Sequence, residues 1–161
     1  MIRSFQKEDT GQLLEIYNHY VKTSISTLDI DEVNLETFSK EMERIASRYP
    51  FIVYTKGKQV LAYAYVNLWK AKQGYDKTVE STVYIHESVV GQGIGTLMYR
   101  HLNKILKTKG YQCVIACLSL PNAISVALHE KIGFNKVAHF PGIAVKFDKK
   151  IDVGYWQLDI V

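Results

Sequence analysis

Three glycines fall within six residues in Val90-Gly91-Gln92-Gly93-Ile94-Gly95, between two segments of different period. Before them, Thr78 to His86 is rich in β-branched and aromatic residues and reads as a strand. After them, Ile94, Leu97, Met98, His101, Leu102, Ile105 and Leu106 recur at helical spacing. A strand that turns through glycines into a helix presents unpaired backbone N–H groups at the positive end of the helix dipole, and such a place binds phosphate. Glycine lets the anion approach without a Cβ in the way. No Gly-Lys-Ser/Thr ending follows, so this is not a Walker loop, and Thr96 stands where the dinucleotide fingerprint has its third glycine. An ordinary tight turn would show the same glycines, so the spacing alone leaves both readings open.

The strand before the turn carries Glu80 on one face with Thr82 and Tyr84. A carboxylate among Val79, Val83 and tyrosines is unusual for packing alone, although a salt-bridged strand Glu would fit too. Other polar groups read more plainly. Asp29-Ile30-Asp31-Glu32 has no further ligand at metal spacing and reads as a solvated loop. Cys113 and Cys117 are the only cysteines, and four residues along a strand put them ~13 Å apart, too far for a disulfide. They read as small buried apolar residues, and no metal site is expected.

The elements that must position these groups follow from pattern. Ile2 to Phe5 is a short strand. Asp9 or Thr10 can cap a helix bearing Leu13, Leu14, Ile16, Tyr17, Tyr20 and Val21 on one side. Leu35, Phe38, Met42 and Ile45 mark a second helix. Phe51–Thr55 and Gln59–Leu68 form a hairpin around Lys56-Gly57-Lys58. Gly110 ends the helix after the glycine turn, and Cys113–Leu120 is a buried strand broken by Pro121-Asn122. Asn122 or Ser125 opens a short helix that ends at Gly133. Asn135–Phe140 and Val153–Ile160 are closing strands. The fold class is α/β (α+β), a mixed sheet flanked by helices, in one domain over residues 1–161.

The 161 residues are 47% apolar and 22% charged, a globular balance, and the net charge of +4 is scattered. A mild positive field suits an anionic small ligand, and no nucleic-acid-binding signature is present. The first residues lack the apolar stretch of a signal peptide and no apolar run approaches a membrane span, so a cytoplasmic location is expected.

The glycine loop resembles the pyrophosphate-binding loop of the GNAT superfamily of N-acetyltransferases, with Val90 where Gln or Arg is usual. More specific segments resemble the phosphinothricin acetyltransferase branch: Tyr17-Asn18-His19-Tyr20, Tyr75-Asp76-Lys77-Thr78-Val79-Glu80-Ser81-Thr82-Val83-Tyr84, Leu120-Pro121-Asn122, Leu128-His129-Glu130 and Asp152-Val153-Gly154-Tyr155-Trp156. Together they span nearly the whole chain. The resemblance implies a mostly antiparallel sheet in which two parallel strands splay apart and hold acetyl-CoA between them. It implies that Val83, Tyr84 and Ile85 line the pantetheine arm, with an N–H there as oxyanion donor. Gly91, Gln92, Gly93, Ile94, Gly95 and Thr96 would take the pyrophosphate, and Asn122 and Ser125 the rest of the arm.

The resemblance further implies Glu80 as general base and His129 as the acid that meets the departing thiolate, in a place where many members have Tyr. Lys70, Lys72 and Tyr75 would face the acceptor's anionic group, where relatives carry Arg; Lys keeps the charge without the bidentate fork. The acceptor implied is a small amino-acid-like amine of the phosphinothricin, methionine sulfoximine or methionine sulfone type. Peptide N-terminal or polyamine acetylation, and a non-catalytic CoA-binding sensor, are the alternatives. A homodimer is expected, with the apolar end around Trp156 as its contact.

Overall fold

The computed structural model describes residues 1–161. Seven strands form one sheet in the order β1-β2-β3-β4-β5-β7-β6. They are β1 (Ile2–Ser4), β2 (Phe51–Lys56), β3 (Gln59–Leu68), β4 (Thr78–Ile85), β5 (Cys113–Leu120), β6 (Asn135–Lys146) and β7 (Lys149–Asp159). Every neighbouring pair is antiparallel except β4 and β5, which are parallel. The helices are α1 (Thr10–Thr23), α2 (Leu35–Ala46), α3 (Ile94–Thr108) and α4 (Ala123–Ile132). None is long and apolar enough to cross a membrane.

Local chemistry accounts for most boundaries. Asn34 accepts from the Thr37 N–H and starts α2, and Asn122 accepts from the Ser125 N–H and starts α4. α3 ends in a Schellman motif: Gly110 takes φ +83°, its N–H reaches the Lys107 carbonyl, and the Tyr111 N–H reaches that of Leu106. At α1 the outcome differs from expectation. The Asp9 carboxylate does not cap the helix; it accepts from both terminal nitrogens of Arg3 and from the Gln6 N–H, fastening β1 to the turn that follows.

The sheet has two apolar faces. On one, α3 buries Met98, Leu102 and Leu106 against Val79, Val114, Ala116 and Trp156. On the other, α1 and α2 bury Leu13, Ile16, Phe38 and Met42 against Phe51, Val53 and Tyr63. Trp156 therefore belongs to the core of the chain and is not a contact for another subunit.

The closing hairpin is longer than its sequence suggested. Pro141-Gly142 marks an irregularity within β6 rather than its end, because β6 is the edge strand and loses no partner where proline has no N–H. Asp152 secures the irregular stretch by accepting from the Gly142 N–H at 2.7 Å. The strands then run on to a turn at Phe147 and Asp148, both at positive φ, 52° and 58°, as a two-residue hairpin turn requires.

Gly154 in the middle of β7 makes room for the core tryptophan. A Cβ there would lie 2.5 Å from the Trp156 ring and 3.2 Å from Leu120 Cδ1. Both neighbours are held by packing, so Gly154→Ala should destabilise the protein by about 1–3 kcal/mol, read as a lower denaturation midpoint with an unchanged m-value.

Candidate active site

β4 and β5 run side by side for only four pairs, from Thr78 opposite Cys113 to Ser81 opposite Ala116. Beyond that point β4 stays with β3 as far as Ile85, and β5 stays with β7 as far as Leu120. The two strands therefore fork. The His86 N–H donates to the Leu61 carbonyl, which makes Ala62 and Ile85 a non-hydrogen-bonded pair. By alternation the N–H and C=O groups of Val83 and Ile85 point into the fork, while those of Tyr84 pair with Tyr63. Of the three residues expected along the cofactor arm, two thus offer their backbone to the gap. The Ile85 carbonyl also accepts from the Tyr20 hydroxyl.

The glycine turn stands at the end of the β4 branch. Gly91 and Gly93 take φ of +81° and +80°, and no side chain caps α3. The first bond of the helix runs from the Leu97 N–H to the Gly93 carbonyl. The N–H groups of Gly93, Ile94, Gly95 and Thr96 are left without intrahelical acceptors, four donors at the positive end of a 15-residue helix. Gly95 serves packing: a Cβ would lie 2.8 Å from Leu128 and 3.1 Å from Ile85. Its absence seats α3 close against β4 and α4.

Side chains of β4 divide between the faces. Val79, Ser81, Val83 and Ile85 face α3. Glu80, Thr82 and Tyr84 face the α1–α2 side, as the strand period requires. Glu80 is half-buried, and burial alone pushes its pKa up; no charge or hydrogen bond compensates. Tyr65, Tyr155 and Cys117 lie close enough to feel its charge. Cys117 is exposed on this face and is not the buried apolar residue its type suggested. The register of β5 decides this, since Val114, Ala116 and Leu118 turn toward α3.

His129 is placed differently from the expectation. Only 5% of it is exposed, and both ring nitrogens are occupied. Nδ1 lies 2.7 Å from the Ser125 carbonyl, which can only accept, so Nδ1 carries the proton. Nε2 then accepts from the Tyr99 hydroxyl at 2.7 Å, and Tyr99 in turn meets Ser81 Oγ at 3.0 Å. The rings of Tyr99 and Phe134 enclose the imidazole edge-on. Desolvation lowers its pKa and keeps it neutral. Its one proton, on Nδ1, is directed to the Ser125 carbonyl and Nε2 is held by Tyr99, so the imidazole turns neither nitrogen to the fork. It links α4 through α3 to Ser81, the last β4 residue before the fork.

Residues 2–154 match the acetyltransferase (GNAT) domain. The chain belongs to the GNAT acetyltransferase family. It is an acetyl-CoA-dependent N-acetyltransferase. It is 35% identical over 158 residues to the phosphinothricin N-acetyltransferase of Streptomyces viridochromogenes, spanning 98% of this chain and 86% of that protein. It is 30% identical over 160 residues to the L-methionine sulfoximine/L-methionine sulfone acetyltransferase of Salmonella typhimurium, spanning 99% and 94%. Among solved structures, an N-acetyltransferase from Staphylococcus aureus Mu50 superposes with a TM-score of 0.96 at 26% identity, covering 100% of this chain and 98% of that one. A Salmonella typhimurium acetyltransferase structure with its cofactor acetyl-CoA gives 0.94 at 29%, covering 100% and 94%.

The acetyltransferase places the residues expected for its acceptor unequally. Lys70, Lys72 and Tyr75 are all exposed, in the connection between β3 and β4. Lys70 lies over the Trp69 ring at 5.4 Å, and Trp69 meets Tyr155 edge-on at 5.5 Å. That chain leads to the Glu80 face. Lys72 and Tyr75 make no side-chain hydrogen bond or ion pair. Asn122 caps α4 at the end of the β5 branch, and Ser125 turns its carbonyl to His129. Sequence reasoning missed Tyr99, Ser81, Trp69 and Tyr155 as neighbours of the site. Strand parity alone could have found Ser81, but Tyr99 needed the packing of α3, Tyr155 the register of β5 against β7, and Trp69 its contact with Tyr155.

Because the folded protein holds His129 neutral and its pKa lowered, the unfolded chain binds the extra proton first as pH falls. The acetyltransferase should therefore lose stability below the ordinary His pKa of ~6.5. In His129→Gln that acid-side loss should be smaller, as measured by thermal midpoints from pH 7.5 down to pH 5.

Proposed function

We propose that this acetyltransferase moves the acetyl group of acetyl-CoA to the amino group of a small amino-acid-like acceptor, of the phosphinothricin, methionine sulfoximine or methionine sulfone type. The names of its curated relatives support that acceptor class. The observation that carries the chemistry is Glu80, a half-buried carboxylate without a cation, on the open face beside the fork. Such a group takes a proton from an ammonium, directly or through one water. A sensor that only bound CoA would have no use for a carboxylate kept desolvated and unpaired.

In this reading the N–H groups at the start of α3 hold the pyrophosphate, and the backbone of Val83 with the Ile85 N–H pairs with the pantetheine amides. The Val83 N–H, turned into the fork, donates to the thioester oxygen as negative charge develops on it. The amine loses its proton to Glu80 and its nitrogen bonds to the carbonyl carbon. As the carbon–sulfur bond breaks, the nitrogen's second proton passes through water to the departing thiolate, whose thiol titrates near ~8.5, and Glu80 later returns its own proton to solvent. Lys70, backed by Trp69, supplies positive charge for the acceptor's anionic group, with Lys72 and Tyr75 closing the same edge. This chemistry suits a cytoplasmic location.

The reading includes a homodimer, by a different surface from the one first expected. Trp156 is interior, whereas Val137, Phe140, Ile143, Val145 and Phe147 are exposed along the edge strand β6. An apolar edge strand is a pairing surface. Light scattering should report a dimer, and Phe140→Asp with Ile143→Asp should give a monomer; a wild-type monomer at micromolar concentration rejects the dimer.

Glu80→Gln should lower kcat/KM by about 10²–10⁴ at neutral pH while acetyl-CoA binding is kept. In the wild type, activity should fall as Glu80 gains its proton, and burial sets that acid limb above the ordinary Glu value of ~4.3. The variant should lack the limb. Wild-type rates in Glu80→Gln, measured as thiol release with methionine sulfone, would make the carboxylate structural.

A further inference from the structure

The connection between α1 and α2 contains a short segment, Ser26 to Asp29, that four separate parts of the molecule hold. From α1, the Tyr17 hydroxyl donates to the Asp29 carboxylate and lies 2.8 Å from Thr27 Oγ1. From β4, the Tyr84 hydroxyl donates to the Ser26 carbonyl at 3.3 Å. From the start of α4, Asn122 Nδ2 reaches Ser26 Oγ at 3.5 Å. From the end of β6, Lys146 Nζ donates to the Thr27 carbonyl at 2.8 Å. Tyr84 is on one branch of the fork and Asn122 lies just past the other. The segment therefore bridges the open end, on the face that carries Glu80.

Lys146 is the unusual member. It is 2% exposed, at the tip of a hairpin whose neighbouring residues Val145, Phe147, Lys149 and Lys150 are all exposed. The pattern is inverted, with apolar side chains out and the ammonium in. Covering an ammonium carries a desolvation penalty that the Thr27 carbonyl and the Phe147 ring, 5.1 Å from Nζ, offset only in part, and an apolar side chain of similar size would pack there at less cost. Desolvation lowers the Lys146 pKa, and the charge of Asp29 opposes that shift. The place of the hairpin explains what the ammonium reaches. β5 ends opposite Asp152, while β6 and β7 continue past it, so the tip overhangs the fork.

We infer that Lys146 is a positioning residue for the acceptor: its ammonium ties the Ser26–Asp29 segment across the mouth of the fork and so sets which amines reach Glu80. This rests on the acetyl-transfer reading above. The glycine turn and the inward backbone of β4 lie outside the tie, so its loss should act on the acceptor and spare the cofactor.

The test uses Lys146→Met, which keeps the length and removes the charge, with Lys146→Arg as the conservative variant. Hydrogen exchange of residues 24–34 should quicken by roughly tenfold or more in Lys146→Met, while the core strands keep their protection. The KM for methionine sulfone should rise by about tenfold, with the KM for acetyl-CoA within about twofold and kcat less affected. Lys146→Arg should recover part of both effects. If Lys146→Met does not fold, Lys146→Gln provides the same two measurements. Unchanged exchange over residues 24–34 overturns the tie. A loosened segment with an unchanged acceptor KM overturns its role in selection, as does an equal loss in every parameter together with the thermal midpoint. If the wild type acetylates no small amine, the functional reading fails, and the exchange measurement still decides whether the tie exists.

Discussion

The parting of β4 from β5 is the constraint on which the rest of the molecule depends. Each strand keeps its outer neighbour past Ser81 and Ala116, so neither can follow the other. Inner N–H and C=O groups are left over, and such groups must find water or a ligand. Everything near the fork maintains that separation. Gly95 lets α3 approach Ile85 and Leu128 without a Cβ between them. The Ser81–Tyr99–His129 chain joins β4, α3 and α4 through buried hydrogen bonds of 3.0 and 2.7 Å, where leaving any member unpaired would cost about 1–3 kcal/mol.

Two buried ionisable groups near the fork have opposite fates, although burial shifts both. Glu80 has its pKa raised and has nothing to bond to. His129 has its pKa lowered, and each of its nitrogens is engaged. The carboxylate has no partner within the fold, whereas the imidazole holds neighbouring elements in place. The two differ in hydrogen-bond partners as well as in depth, Glu80 being half-buried and His129 enclosed.

Much of this is legible in the order of residues alone. The helix and strand types, the strand–glycine turn–helix unit and the shared face of Glu80, Thr82 and Tyr84 all follow from local periodicity and glycine's conformational range. Other features were not legible because they depend on partners distant in the chain. Pro141-Gly142 reads as a stop until β6 is known to be an edge strand. Cys117 reads as buried until β5 is set in register between β4 and β7. Trp156 reads as either a core or an interface residue until α3 is laid over it.

The sequence by itself determined that a glycine turn opening a helix follows a strand bearing a carboxylate, because both features are local and repeat with the backbone's own period. It also carried, in segments across nearly its whole length, its resemblance to one acetyltransferase branch. Only the tertiary structure decided where the two parallel strands separate, that His129 is enclosed and neutral, and that Lys146 turns inward to the Thr27 carbonyl 119 residues away. Those outcomes depend on which surfaces exclude water, and that is settled by packing between elements rather than by any residue's immediate neighbours.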